Sequence, residues 1–67
     1  MLEDFRLKVF MEVVAERSYT KAAKVLGITQ PSVSQNIADL EKTTGRKLFD
    51  RLKGSVVLTA EGEVLLM

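Results

Sequence analysis

The sequence contains no cysteine and no histidine. Without cysteine there can be no disulfide framework and no thiol nucleophile, and without either residue the commonest protein ligands of transition metals are missing. We therefore expect neither a metal site nor a cofactor. The lack of cysteine also favours an intracellular protein.

Long apolar segments are missing as well. The longest apolar runs include residues 56–58 and 64–67, which are far too short to span a membrane. The chain does not open with a basic segment followed by an apolar one, as a secretory signal does. These features predict a cytoplasmic protein with no membrane partner.

Charge is nearly balanced, but it is unevenly distributed. The net charge of the 67 residues is +1. Residues 17–53 carry eight lysines and arginines against three acidic residues, whereas residues 1–16 and 54–67 each have a net charge of −2. Positive charge concentrated in one part of a small domain is typical of a nucleic-acid-binding surface.

The basic segment contains the pattern of two helices joined by a tight turn. The first helix begins after Ser18, a candidate N-cap, and ends at Gly27, which can adopt the left-handed conformation of a helix end. The second begins after Thr29, another candidate N-cap, and covers about residues 30–44. Two helices with so short a connection predict a helix-turn-helix.

The second helix has two distinct faces. Its inward residues repeat at helical spacing: Val33, Ile37, Leu40 and Thr44. The opposite residues point outward: Pro31, Gln35, Ala38 and Lys42, with Gln30, Ser32 and Ser34 at an exposed N-terminal end. Short hydrogen-bonding side chains suit the reading of base edges in a DNA groove. The alternative is an ordinary helical hairpin whose polar face is merely solvated.

A helix over about residues 2–17 precedes this pair. Its apolar arc is wider than one packing partner requires. The arc consists of Leu2, Phe5, Leu7, Val9, Phe10, Met11, Val13 and Val14. It predicts a central core helix, and part of the arc is free to meet a second surface, such as the C-terminal helix or another subunit.

After Gly45, we expect Leu48 and Phe49 to hold the chain against the core. Residues 51–58 then predict two short strands around the turn Lys53-Gly54-Ser55. A charged turn taken alone is more often a solubilising loop. Because this one follows directly after the second helix of the pair, we expect a wing that touches phosphates or enters the minor groove.

Thr59 is the candidate N-cap of a last helix. We expect its apolar end, residues 64–67, either to pack on the first helix or to continue in a longer chain.

Taken together, these residues resemble the N-terminal DNA-binding domain of LysR-type transcriptional regulators over essentially the whole chain. The most specific matches pair Ala22-Ala23 with the sequence QPSVS at residues 30–34. Two later matches are LFDR at residues 48–51 and LTAEG at residues 58–62.

The resemblance implies a mainly α winged helix-turn-helix with a three-helix core, a small two-stranded β wing and the start of a C-terminal linker helix. Residues 1–58 would form the DNA-binding domain and residues 59–67 the start of the linker or dimerisation helix. A homodimer or higher oligomer, joined through the first helix and the linker helix, would bind double-stranded DNA at a dyad-symmetric site. A small-molecule effector would bind only through a C-terminal domain that is absent from these residues.

Gln35 departs from the family pattern, because an arginine is common at its place. Glutamine pairs best with adenine and arginine with guanine, so the departure bears on base preference. We expect DNA contact, in the groove or on the backbone, at ten residues: Thr20, Lys21, Thr29, Gln30, Pro31, Ser32, Ser34, Gln35, Arg51 and Lys53.

Two other classes of function remain as alternatives. A protein-docking winged helix would use Pro31, Gln35 and the wing as a partner surface. An enzyme would need catalytic residues, but the carboxylate pairs at residues 39 and 41 and at 61 and 63 have no base, nucleophile or pocket-lining set beside them. We therefore expect no catalytic residue.

Overall fold

A computed structural model describes residues 5–52 and 55–66. Within these residues the chain is mainly helical, with the elements α1 Phe5–Glu16, α2 Tyr19–Leu26, α3 Gln30–Thr44, β1 Phe49–Leu52, β2 Ser55–Leu58 and α4 Ala60–Leu66. This order confirms the predicted fold class. None of the described helices is long and apolar enough to cross a membrane.

Helix α1 ends one residue earlier than the sequence predicts. Arg17 has a φ of 55°, although its backbone N–H still donates to the carbonyl of Val13 at 2.8 Å. A left-handed residue cannot continue the helix, so Arg17 is its terminating residue. The predicted start at Leu2 lies outside the described residues.

The turn between α2 and α3 follows the sequence prediction. Ser18 caps α2 and Thr29 caps α3, each accepting a backbone N–H with its hydroxyl oxygen. Gly27 adopts a φ of 71°, and the N–H of Ile28 donates to the carbonyl of Ala23 at 3.0 Å. This pattern satisfies the free carbonyls at the end of α2 and turns the half-buried Ile28 back onto the core.

The core lies where α1, α2 and α3 meet the start of β1. It contains the predicted inward residues of α3, except that Thr44 is exposed and donates its hydroxyl to the carbonyl of Glu41 at 3.2 Å. The predicted apolar contacts of Leu48 and Phe49 are confirmed, since both are buried. The buried residues are Val9, Phe10, Val13, Ala22, Ala23, Val33, Ile37, Leu40, Leu48 and Phe49.

Strands β1 and β2 form the predicted antiparallel wing, with Phe49 opposite Leu58 and Arg51 opposite Val56. The wing begins two residues before the predicted residue 51, because Phe49 pairs in the ladder while its ring is buried in the core. The predicted turn at Lys53 and Gly54 lies outside the described residues.

Helix α4 is tied to the segment that precedes the wing. The hydroxyl of Thr59 accepts the N–H of Gly62 at 3.0 Å and donates to the carbonyl of Lys47 at 2.6 Å. Thr59 is therefore the predicted N-cap, and its hydroxyl also joins α4 to the segment before the wing by a hydrogen bond. Leu65 packs partly against the core, whereas the side chain of Val64 is 68% exposed.

Candidate nucleic-acid interface

The outward face of α3 is as the helical spacing predicts. Pro31, Gln35, Ala38 and Lys42 are all exposed. The N-terminal end of α3 is less exposed than the sequence predicts, because Gln30, Ser32 and Ser34 are half-buried.

Hydrogen bonds along α3 involve the same residues. Gln30 Nε2 donates to Ser34 Oγ at 3.2 Å. The backbone N–H of Ser32 donates to Thr29 Oγ1 at 3.2 Å, and its carbonyl accepts from Asn36 Nδ2 at 2.8 Å. The side chains of Gln30 and Ser34 are therefore bonded to each other along the helix.

Gln35, the central exposed residue of α3, also has a partner on the helix. Its Nε2 donates to Asp39 Oδ1 at 2.9 Å. Asp39 is not among the predicted site residues, although residues four positions apart are neighbours on a helix and the spacing could have indicated the pair.

Arg51 projects from β1 onto α2 and is stacked there. Its guanidinium carbon lies 4.2 Å from the ring centroid of Tyr19. The Tyr19 ring meets Phe49 edge-on, with centroids 6.3 Å apart, and Phe49 lies 5.4 Å from Phe10. An exposed cation is thus connected through three aromatic rings to the core.

The environment of Tyr19 favours a neutral phenol. Burial raises the pKa of Tyr19 above its ordinary 10.0, while a hydrogen bond and the charge of Arg51 lower it and the charge of Glu41 raises it. Because the net shift is upward, the ring stays uncharged at neutral pH, and its electron-rich face can hold the guanidinium.

A cleft of about 370 Å³ brings three of the predicted contact residues together from three elements: Thr20 of α2, Gln30 of α3 and Arg51 of β1. Arg17 and Ser55 line it too, and neither is among the predicted contact residues. Arg17 reaches the cleft because the chain turns sharply there, which local sequence rules do not predict. The described lining contains two arginines and no carboxylate, so it suits an anion such as a phosphate.

The remaining predicted contact residues lie around this cleft and α3, with one exception. Lys21 is exposed in the first turn of α2, and its N–H donates to Ser18 Oγ at 3.1 Å. Thr29 is exposed at the cap of α3, and Pro31 is exposed in the first turn of that helix. Lys53 lies outside the described residues.

Three helices around one core, a capped turn between the second and third, and a two-stranded hairpin after them define a winged helix-turn-helix domain. Residues 5–63 match the family model described as "Bacterial regulatory helix-turn-helix protein, lysR family". The chain belongs to this family.

Individual relatives agree with the family match. The transcriptional regulator BudR of Klebsiella aerogenes is 51% identical over 57 residues, which are 85% of this chain and 40% of BudR. A crystal structure of a LysR-family transcriptional regulator from Eggerthella lenta is 43% identical, with a TM-score of 0.89 over 97% of this chain and 93% of that one. The BenM DNA-binding domain in complex with catB site 1 DNA is 41% identical, with a TM-score of 0.88 over 96% of this chain and 69% of that one. This chain spans less than half the length of the curated relatives, which are transcriptional regulators.

Proposed function

We propose that this chain is the sequence-specific DNA-binding domain of a LysR-type transcriptional regulator. Helix α3 enters the major groove, and the wing lies on the backbone or in the minor groove. One observation carries the proposal: the cleft that holds Arg17 and Arg51 lies directly beside the start of α3, so phosphate contact and base contact come from adjacent surfaces. The similarity to the DNA complex of BenM supports it.

The contact residues divide into two groups. The first group contacts the groove or the adjacent phosphates and consists of Gln30, Pro31, Ser32, Ser34 and Gln35, with Thr29 at the cap. The second group contacts the DNA backbone and consists of Thr20, Lys21, Arg51 and Lys53. We add Arg17 to it because Arg17 lines the same cleft as Arg51. Only the second group carries positive charge, so binding strength should depend on it while sequence preference depends on the first.

The natural assembly is a homodimer or higher oligomer on a dyad-symmetric site. Residues 1–58 form the binding domain, and the helix that begins after Thr59 is the start of a linker that pairs subunits. Exposed apolar residues on α1 and α4 support this: Phe5, Leu7, Met11, Val64 and Leu66. An effector would act through a further domain, and a bacterial regulator of this kind works in the cytoplasm.

A salt titration tests the proposal on the 67-residue chain. If about four to six basic side chains neutralise phosphates, log K for a random-sequence duplex should fall with log salt with a slope of about −0.9 per contact. Arg51→Ala should reduce the steepness by about one contact, whereas Lys8→Ala, which removes an exposed charge from α1, should not.

Two results would contradict the proposal. No measurable duplex binding at low salt would favour a protein-docking winged helix. A slope that Lys8→Ala lowers as much as Arg51→Ala would show that binding follows total charge and not the cleft beside α3.

A further inference from the structure

Helix α3 holds each of its three amide side chains by a hydrogen bond to the helix itself. Gln30 donates to Ser34 Oγ, Gln35 to Asp39 Oδ1, and Asn36 to the carbonyl of Ser32. Gln35 is the exposed one of the three, while the other two are half-buried. Its partner is also the only one of the three that carries a charge. Gln35 is therefore the amide of the three that can contact a DNA base, and Asp39 already orients it.

The chemistry of this pair allows one orientation of the amide. A free glutamine can rotate its amide by half a turn, which exchanges the carbonyl oxygen and the NH₂ group. An ionised carboxylate only accepts hydrogen bonds, so Asp39 holds the NH₂ group on its side. The rotated amide would place Oε1 of Gln35 against the carboxylate oxygen, where two acceptors repel each other.

We propose that Asp39 is a positioning residue that fixes the amide of Gln35 and thereby determines base preference. The inference rests on the proposed function, since it needs α3 in the major groove. Held in this way, Gln35 presents its carbonyl oxygen and its second N–H in a fixed order. That order matches adenine, which offers an N6 donor and an N7 acceptor. Guanine offers acceptors at both O6 and N7, to which a free NH₂ group could donate both of its N–H groups; an amide held by Asp39 has only one N–H left, and its carbonyl oxygen stays unpaired.

A second effect of Asp39 acts in the same direction. Its negative charge lies on the helix that approaches the phosphates, so it opposes binding that is not supported by base contacts. Loss of the carboxylate should therefore leave random-sequence binding unchanged or make it tighter, while it lowers discrimination between bases. A residue needed only for folding would lower both.

The test compares four chains with wild type: Gln35→Ala, Asp39→Ala, Asp39→Glu and the charge-matched control Glu61→Ala, which alters an exposed residue of α4. Each is mixed with a pool of randomised duplexes, and the bound duplexes are sequenced. The base position whose preference disappears in Gln35→Ala is the position that Gln35 reads. Alanine is the best helix former, so Asp39→Ala should keep α3 folded, which circular dichroism checks.

At that position, we expect wild type to prefer adenine over guanine by about five- to a hundredfold. Asp39→Ala should reduce the preference by about three- to tenfold, as for the loss of one hydrogen bond. Asp39→Glu, which keeps an acceptor carboxylate four residues away, should retain more of it, and Glu61→Ala should retain all of it. Binding of a fixed random duplex by Asp39→Ala should be equal or tighter.

A measurement without DNA supports the same conclusion independently. The side-chain amide resonances of Gln35 in a ¹H–¹⁵N spectrum should move in Asp39→Ala and stay in place in Glu61→Ala. Unchanged resonances, or an adenine preference that Asp39→Ala retains in full, would overturn the inference and leave the proposed function intact. A wild-type chain that selects no base at any position would instead overturn the proposed function, and the inference with it.

Discussion

The polar surface formed by α3 and the wing differs from the exposed apolar residues of α1 and α4 in how its side chains are held. On the polar surface, Gln35 is bonded to Asp39 and Arg51 is stacked on Tyr19. On α1 and α4, by contrast, Met11 is 54% exposed and Val64 is 68% exposed, although both are apolar. One surface is therefore organised within this chain, whereas the other leaves apolar side chains exposed, as the proposed subunit contact would require.

The largest effect on DNA affinity should come from joining two chains through a dimeric helix that continues α4. Fusion of a dimeric coiled coil in register with α4 should tighten binding to a duplex with two half-sites by about 10²- to 10⁴-fold, because the second half-site contact becomes intramolecular. Base preference should not change, since α3 is untouched. Sedimentation equilibrium gives the oligomeric state, and titration of a duplex chosen from the randomised pool gives the affinity.

The control for this fusion is a duplex with a single half-site, on which the fused and unfused chains should bind alike. Two outcomes would contradict the comparison between the two surfaces. A tight dimer in the unfused 67-residue chain would show that α1 and α4 already form a complete interface, and an equal affinity on both duplexes would show that pairing does not limit binding.

A smaller effect is expected at Gly62, where α4 meets the base of the wing. A Cβ at this buried glycine would press against the carbonyl oxygen of Leu48 and the side chain of Leu58. Overpacking against backbone costs about 1 to 3 kcal/mol, and the better helix propensity of alanine returns up to about 1 kcal/mol. We expect Gly62→Ala to lower the free energy of unfolding by about 1 to 2 kcal/mol in urea denaturation.

The neighbouring exposed residue provides the matched control. Glu61→Ala should change the unfolding free energy by less than about 0.5 kcal/mol. If Gly62→Ala is as stable as Glu61→Ala, α4 can shift away from the wing without cost. The start of the proposed linker helix would then not be fixed relative to the polar surface.

Local rules predicted the helix-turn-helix because its determinants are adjacent in sequence. Ser18 and Thr29 cap helices through hydrogen bonds to residues three positions away, and Gly27 ends α2 by its own conformation. The exposed face of α3 follows from helical spacing. Local rules were less accurate where a tertiary contact matters. The wing begins at Phe49, which pairs with Leu58 while its ring is buried in the core.

The features that the sequence did not predict join distant residues. Tyr19 and Arg51 are 32 positions apart, and Thr59 reaches the carbonyl of Lys47 across the wing. No periodicity within one element can indicate such pairs, because they depend on how the wing folds back onto α2. Arg17 was not among the predicted contact residues for a related reason. Its place in the cleft depends on a turn that only the structure defines.

Substitution of Tyr19 tests whether its stacking with Arg51 holds the arginine in position on the polar surface. Tyr19→Leu should weaken binding of a random-sequence duplex by about two- to fivefold, as expected for an exposed cation–π contact of about 0.5 to 1 kcal/mol. Tyr19→Phe keeps the ring but loses the hydroxyl that shares a hydrogen bond with Arg51, so it should bind more tightly than Tyr19→Leu. Equal binding by the leucine and phenylalanine variants, at matched stability, would show that Arg51 finds its position without the ring.

The smallest effect is a titration, and it reports on the same contact without DNA. Tyr19 is the only tyrosine in the chain, so phenolate absorbance follows this residue alone. Because burial raises its pKa, the folded protein should titrate above 10.0, and the chain unfolded in urea should titrate near 10.0. Arg51→Ala should raise the folded pKa further, since it removes both a hydrogen bond and a positive charge that lower it.

The sign of the stability change follows from these directions. Below pH 10.0 the phenol is protonated in both states, so its contribution is fully present; as pH rises from 10.0 through the folded pKa, the unfolded state loses its proton first and the free energy of unfolding falls. Since lysines titrate in the same range, the quantity to measure is the difference between wild type and Tyr19→Phe. If that difference does not change with pH, burial does not raise the pKa of Tyr19; if Arg51→Ala lowers that pKa, the guanidinium does not lie against the ring in solution. Arg51 would then belong with the exposed groups that the chain leaves unordered.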